Sequence, residues 1–265
     1  MPKIGIIGGT GIYSPEALKG FKERIINTPY GKALCNQGTM SGNQVFFITR
    51  HGVGHTVPPH LVNYRANIWA LKSQGVDEIF ATTAVGSLNQ KMTAGQFVVC
   101  DQLLDFTKSR INTFYDNPDR GVGHVDVTHP YCDTLRTKVI RCLEKTGSPF
   151  HKTGCYVCTE GPRFETAAEI KMFAMVGGDL VGMTNAQECF LAREAEICYT
   201  NCAIVTNMAA GISPTPLSHS EVEAAMKKSI VNMEKLLTTF IADNDPVPEL
   251  CNCRHAMAEF GGFKL

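Results

Sequence analysis

The chain alternates between short apolar, β-branched runs and longer stretches in which apolar residues return about once per helical turn. The runs at 3–8 (KIGIIG), 44–49 (QVFFIT), 78–83 (EIFATT), 96–100 (QFVVC), 154–159 (GCYVCT), 179–183 (DLVGM) and 199–206 (YTNCAIVT) predict mostly buried strands. Between them, Leu61, Tyr64, Ile68 and Leu71 space out a helix over 61–74, and 131–146 and 185–196 suit two more. The longest stripe, Val222, Met226, Ile230, Met233, Leu237 and Phe240, predicts a helix over 219–241, with Ser218 and Glu221 as a capping box. Strands alternating with helices predict an α/β fold: a single domain over 1–242 with a central, largely parallel mixed sheet flanked by helices. The remainder, 243–265, carries Pro246, Pro248 and little periodicity, and reads as a tail packed on the same domain.

Sheets of this kind gather ligands where loops leave the carboxyl ends of strands. Gly8-Gly9-Thr10-Gly11 suggests a phosphate cradle, with a plain tight turn as the alternative. A dinucleotide fingerprint needs Gly at 14, where Ser stands, and the Gly-Lys-Ser/Thr ending of a Walker loop is missing. In "ITRHGVGHTVPPH", Arg50 is a bidentate phosphate donor and His51 adds a hydrogen bond. A surface loop, or a metal site from His51, His55 and His60, are the other readings; Pro58-Pro59 and the lack of acidic residues weigh against the metal. "TTAVGSL" (82–88) follows the third run with small residues. "VGMTNAQE" (181–188) puts Thr184 at a helix N-terminus, where anions are favoured. Four strand ends thus point to one phosphate.

Two further stretches carry other chemistry. "CTEGPRFETAAE" (158–169) sets Phe164 beside Glu165 at the start of a helix, which suits a flat heterocycle with N–H donors, although Glu165 also serves as a first-turn carboxylate. "CAIVTNMAAGIS" (202–213) ends a buried run in the amide of Asn207. Residues 107–130 form a long polar excursion, a surface flap or subunit contact.

Basic and acidic residues balance at 25 each, so nothing attracts nucleic acid or an anionic membrane. MPKIGIIGG passes straight into a strand with no signal-peptide cleavage site, and no apolar run approaches the ~18–20 residues that span a bilayer. A cytoplasmic protein is expected. Of eleven cysteines, Cys100, Cys158, Cys189 and Cys202 lie in apolar runs and read as small reduced core residues. Cys155 and Cys158 would point to opposite faces of a strand, a poor geometry for a shared metal. Cys251-x-Cys253 with His255 leaves a strained redox pair or adventitious metal binding open.

In this order, "GIIGGTGIY", "RHG", "TTAVGSL", "TEGPRFET", "VGMTNAQE" and "TNMAAG" resemble the trimeric purine nucleoside phosphorylase and methylthioadenosine phosphorylase family, over about residues 3–240. The resemblance implies the nucleoside phosphorylase fold and a phosphate site of Thr10, Arg50, His51, Thr83, Ala84 and Thr184. It places Met183 under the ribose, Phe164 on the base, and Asn207, Met208 and Ala209 along the purine. His124 resembles a residue reaching a neighbouring subunit's site in a homotrimer. Asn207 and His51 are the expected catalytic residues. Phosphate is a co-substrate; no metal or organic cofactor is implied. The partners are a nucleoside and phosphate, not nucleic acid or a membrane.

Within that family, adenine-selective members resemble this chain except for Asp at the positions of Asn207 and Ala209. An amide at 207 donates to O6 of a 6-oxopurine and accepts from N7–H, while Glu165 accepts from N1–H. Adenine would leave both acceptors unpaired, at roughly 1–3 kcal/mol. His219 resembles the residue that 6-oxopurine members set near the 5′-hydroxyl; methylthio-selective members are apolar there. Phosphorolysis of inosine or guanosine is therefore expected, with 5′-methylthioinosine or 5′-methylthioadenosine as alternative substrates and a non-catalytic purine- or phosphate-binding module as the rival of another class.

Overall fold

A computed structural model describes residues 3–9, 20–118, 120–212 and 219–265, leaving aside the side chains of 219–228. Its strands are β1 (Lys3–Gly8), β2 (Lys22–Thr28), β3 (Gly31–Met40), β4 (Asn43–Thr49), β5 (Glu78–Ser87), β6 (Phe97–Val99), β7 (Gln102–Asp105), β8 (Phe150–His151), β9 (Cys155–Cys158), β10 (Leu180–Gly182) and β11 (Cys198–Met208). Its α-helices are α1 (Tyr64–Ser73), α2 (Asp133–Thr146), α3 (Ala167–Met175), α4 (Asn185–Glu194) and α5 (His219–Ala242).

The strands form one mixed sheet in the order β2-β3-β4-β1-β5-β10-β9-β7, with β11 also along β5 and leading on to β6 and β8. The central pairs β4–β1, β1–β5 and β5–β11 are parallel. Alternation along each strand divides the core between two faces. Ile7, Ile79 and Ala81 pack with Ile68 and Leu71 of α1 and Leu191 of α4. Ile4, Ile6 and Phe80 pack with Leu135 and Val139 of α2 and with Met233, Leu237 and Phe240 of α5. The single α/β domain with its mixed sheet is as expected.

The details differ in informative ways. The antiparallel hairpin β2–β3, which pairs with β4, was not anticipated. Its first strand, KERIINT, is largely exposed, so it carries no buried apolar run to read. Helix α1 begins at Tyr64 rather than 61. The Asn63 side chain accepts from Ala66 N at 3.0 Å, and Pro59–Leu61 form a 3-10 turn that leaves Leu61 exposed. The proposed cap of α5 involves Ser218 and the Glu221 side chain, both outside the described residues.

β5, expected to end at 83, instead runs on through Ser87. One edge of this strand changes partner along its length. β1 pairs with Glu78 to Ala81, and β10 pairs antiparallel with Gly86 and Ser87. Residues 82–85 lie in the gap between them, while β11 covers the other edge throughout. The sheet therefore opens beside Thr83 and Ala84. Ala84 is the one exposed position in an otherwise buried strand.

The tail 243–265 is anchored by buried polar contacts. Val247 N donates to Glu78 at 2.7 Å, and the amides of Met257 and Phe263 both donate to Glu196 at 3.0 Å. Glu78 is itself buried and ion-paired to Lys138 at 3.2 Å.

Candidate active site

Arg50 follows β4 directly, and its amide bonds Gly8 O at the end of β1. The guanidinium enters the gap beside β5 and is almost fully buried. Its Nε and Nη2 donate to Glu188 of α4 at 2.5 and 3.0 Å, and Nη1 donates to Thr82 O at 2.9 Å. Burial opposes its charge, but the Glu188 carboxylate outweighs that and holds its pKa above the ordinary arginine value. Three of the five N–H donors of Arg50, read from the sequence as a bidentate phosphate donor, are committed within the protein. Two N–H groups remain, one on each Nη.

Glu188 lies one turn inside α4 from Thr184, so the ion pair brings Arg50, β5 and this helix N-terminus together. Thr184 is the N-cap, is buried, and makes no side-chain cap bond, which leaves its hydroxyl available. The buried Cys158 thiol lies against this first turn, its Sγ donating to Gln187 Oε1 at 3.9 Å. Thr83 faces Asn201 of β11, whose Nδ2 lies 3.1 Å from its Oγ1. Thr83 Oγ1 in turn donates to Asn201 Oδ1 at 3.3 Å. Thr10 lies outside the described residues.

His51 Nδ1 is 2.9 Å from Val57 O. A carbonyl only accepts, so Nδ1 carries the hydrogen and Nε2 is bare in the neutral ring. Burial, then the neighbouring Arg50 charge, lowers its pKa to about 4. At neutral pH His51 thus presents an acceptor. Its ring stacks on His55 at 4.4 Å, and among the described residues His51, His55 and His60 form no ligand set.

The second half of the site is built by two adjoining loops. β11 runs to Asn207, with an irregularity in its register against β5 between Val205 and Asn207. Asn207 Nδ2 donates to Met208 O at 2.9 Å, and its Oδ1 accepts from Thr206 Oγ1 at 2.7 Å. A flipped amide would set Oδ1 against the Met208 carbonyl, two acceptors together, so the orientation is fixed by chemistry. One N–H and one lone pair remain unspent.

Glu165 accepts from Thr159 Oγ1 at 2.6 Å through one oxygen. Thr166 and Glu169 close a capping box immediately after it. Gly211, with φ +77°, packs so closely on Ala167 that a Cβ would lie 2.5 Å from its Cβ. The Asn207 and Glu165 loops therefore abut. Phe164 is 43% exposed beside them, and Ala209 is buried with its amide on Ser87 O. Met183 packs against Gly161, where a Cβ would be 2.6 Å from its sulfur.

Sequence reading missed several supporting residues. Arg110, inside the polar excursion, has a buried side chain that bonds Met183 O, Gln187, Tyr64 OH and the carbonyls of Thr159 and Glu160. It ties the excursion to the floor of the site, which a surface flap does not do. Tyr199 OH donates to Glu188 at 2.9 Å and accepts from Asn185 Nδ2 at 2.8 Å, and Tyr131 OH bonds Asn185 Oδ1. His124 is exposed on the excursion, next to Gly123, which packs near Met257 and Tyr115; within the chain it does not join the other site residues. The His219 side chain lies outside the described residues.

Residues 3–242 match the phosphorylase superfamily. The chain is 50% identical over 258 residues to a probable 6-oxopurine nucleoside phosphorylase from Dictyoglomus turgidum, covering 97% of each chain. It is 48% identical to the 6-oxopurine nucleoside phosphorylase of Pyrococcus furiosus, covering 97% of this chain and 98% of that one. The solved structure of methylthioadenosine phosphorylase from Schistosoma mansoni with adenine superposes with a TM-score of 0.91 at 33% identity, over 98% of this chain and 97% of that one.

Proposed function

The chain belongs to the phosphorylase superfamily, and from that premise we propose that it cleaves 6-oxopurine nucleosides with phosphate, giving the free base and ribose 1-phosphate. The observation that carries this reading is the oriented amide of Asn207, with one N–H for O6 and one lone pair for N7–H. The free oxygen of Glu165 accepts from N1–H. Adenine, with an acceptor at N1 and an amine at C6, satisfies neither side chain.

Phosphate binds at the gap in the sheet, between the two remaining Nη–H groups of Arg50 and the hydroxyls of Thr83 and Thr184, beside Ala84. Neutral His51 accepts from a protonated phosphate oxygen through Nε2. The glycosidic bond breaks toward an oxocarbenium-like state that the phosphate stabilises before attacking C1′. Asn207 takes up charge building on the purine as N7 gains its proton, an interaction stronger in the transition state than in the ground state. Met183 and Phe164 pack on ribose and base, Met208 and Ala209 line the purine, and His219 meets the 5′-hydroxyl.

The proposal extends to a cytoplasmic homotrimer in which the exposed His124 reaches a neighbouring site. Its support is the ordered set of motifs and the exposure of that residue. A solution mass of three chains is expected, and a monomer of full activity contradicts this part. The test of function is a panel of inosine, guanosine, adenosine, methylthioadenosine and methylthioinosine, with and without phosphate. Phosphate-dependent release of hypoxanthine or guanine at the highest kcat/KM is expected. Preferred cleavage of adenosine or methylthioadenosine overturns the base assignment, and tight purine binding without turnover overturns the activity.

A further inference from the structure

We propose that the C-terminal tail is stapled to the sheet by a zinc ion held by four thiolates: Cys132, Cys198, Cys251 and Cys253. The Sγ atoms of these residues all lie within 4.8 Å of one another. Cys132 is the N-cap of α2, Cys198 opens β11, Cys251 caps a 3-10 turn of the tail and Cys253 lies within it. Three distant parts of the chain thus bring thiols to one point. His255, grouped by sequence with the tail cysteines, is instead on the Glu249 carbonyl at 3.0 Å and is replaced by Cys132 and Cys198.

The spacing fits a tetrahedron around a metal. With zinc–sulfur bonds of about 2.3 Å, neighbouring sulfurs stand about 3.8 Å apart. Cys251 lies 3.6 Å from Cys132 and 3.7 Å from Cys198. Cys251 is equally placed toward two partners, so the geometry singles out no disulfide pair.

The surroundings call for negative charge. Arg193 is buried, and its Nη1 points at Cys253 Sγ at 3.2 Å while Nη2 takes the His129 carbonyl. Arg254 lies beside Cys198, and its buried Nε has no hydrogen-bond partner. Leu135 N donates to Cys132 Sγ at 3.4 Å. Neutral thiols are weak acceptors for two guanidinium groups. Four thiolates around Zn²⁺ carry a net charge of about −2, which Arg193 offsets in part, together with Arg254, whose Nη1 is also paired with the exposed Glu249 at 2.7 Å. On binding, four thiol protons pass to solvent and four Zn–S bonds form, with no change of oxidation state. All four positions are protein sulfur, so the site is closed and structural rather than catalytic.

The staple also borders the phosphate machinery. Tyr131 and Tyr199 directly adjoin Cys132 and Cys198, and together they hold Asn185 and Glu188. Fixing the two sulfurs fixes the backbone from which these hydroxyls reach Arg50's partner.

The experiment is metal analysis and native mass spectrometry of the full chain, purified under reducing conditions with neither added metal nor chelator. About one zinc per chain is expected, with these four thiols unreactive toward a thiol reagent until a chelator removes the ion. Cadmium exchanged into the same protein should give thiolate-to-metal charge-transfer absorption. Cys253→Ser should lose most of the zinc, whereas Cys155→Ser, outside the cluster, should keep it. If Cys253→Ser does not fold, the zinc content of the unaltered chain decides alone. A metal-free chain at its fully reduced mass overturns the proposal, and so does one lighter by the hydrogens lost in disulfide formation.

Discussion

The two ends of the site are built differently. At the phosphate end, charged and polar groups are buried and held by partners far away in the chain: Arg50 by Glu188, Glu188 by Tyr199, Tyr199 by Asn185, and Asn185 by Tyr131. At the base end, Asn207 is held by its own neighbours Thr206 and Met208, and Glu165 by Thr159 six residues away. Phe164 stands half in solvent. The Arg50 cluster, the proposed anion site, is part of the core, so it cannot change without unsettling the fold. The base site is assembled locally on finished strands, so its chemistry can change while the sheet stays intact.

Arg50→Met strikes hardest at this contrast. It leaves Glu188 charged and unpaired in the interior, so stability should fall by about 3–5 kcal/mol in a denaturant titration. Phosphorolysis should fall by at least about a hundredfold. A variant that loses activity yet keeps its stability would break the distinction. Acid should act next. His51 has its folded pKa lowered to about 4, so the unfolded chain binds more protons between that value and its ordinary one near 6.5. Its contribution is complete above pH 6.5 and is lost as pH falls toward 4, up to about 3 kcal/mol. Stability measured from pH 7 to 4.5 should drop less in His51→Gln than in the unaltered protein. An identical drop contradicts the buried neutral ring.

Tyr199→Phe removes one hydroxyl that serves both Glu188 and Asn185. A loss of about 1–3 kcal/mol is expected, with a raised KM for phosphate and an unchanged preference among bases. Asn207→Asp should be mildest on stability, within about 1 kcal/mol, because its contacts are local and partly solvated. Its effect belongs to specificity.

Much of the fold was legible in the sequence because strands buried on both faces announce themselves, and the residues proposed for the site stand at or near their ends. Arg50 after β4, Thr184 before α4 and Asn207 closing β11 all stand where an apolar run stops. The groups that orient them were not legible. Glu188 lies 138 residues from Arg50, and Asn201 118 residues from Thr83, and nothing local marks either pair. Arg110 sat in a polar stretch with the look of a surface loop, although its side chain is buried. The exposed strand β2 escaped for the opposite reason, having no buried run to betray it. Thr83 was read at the end of a strand and Ala84 in the loop after it, whereas both lie inside β5. Only the pairing of β1 and β10 along the same edge of β5 reveals the gap beside them. The Cys251-x-Cys253 spacing was visible, but its partners Cys132 and Cys198 are joined to it only by the fold.

The central claim is that the amide at 207 reads a 6-oxopurine. It is tested most directly by kcat/KM for inosine and adenosine at saturating phosphate, in the unaltered protein and in Asn207→Asp. The account expects strong preference for inosine in the former, and a shift in the ratio toward adenosine of about ten- to a hundredfold in the latter, worth roughly 1–3 kcal/mol. An unchanged ratio in a folded, active Asn207→Asp enzyme would contradict it.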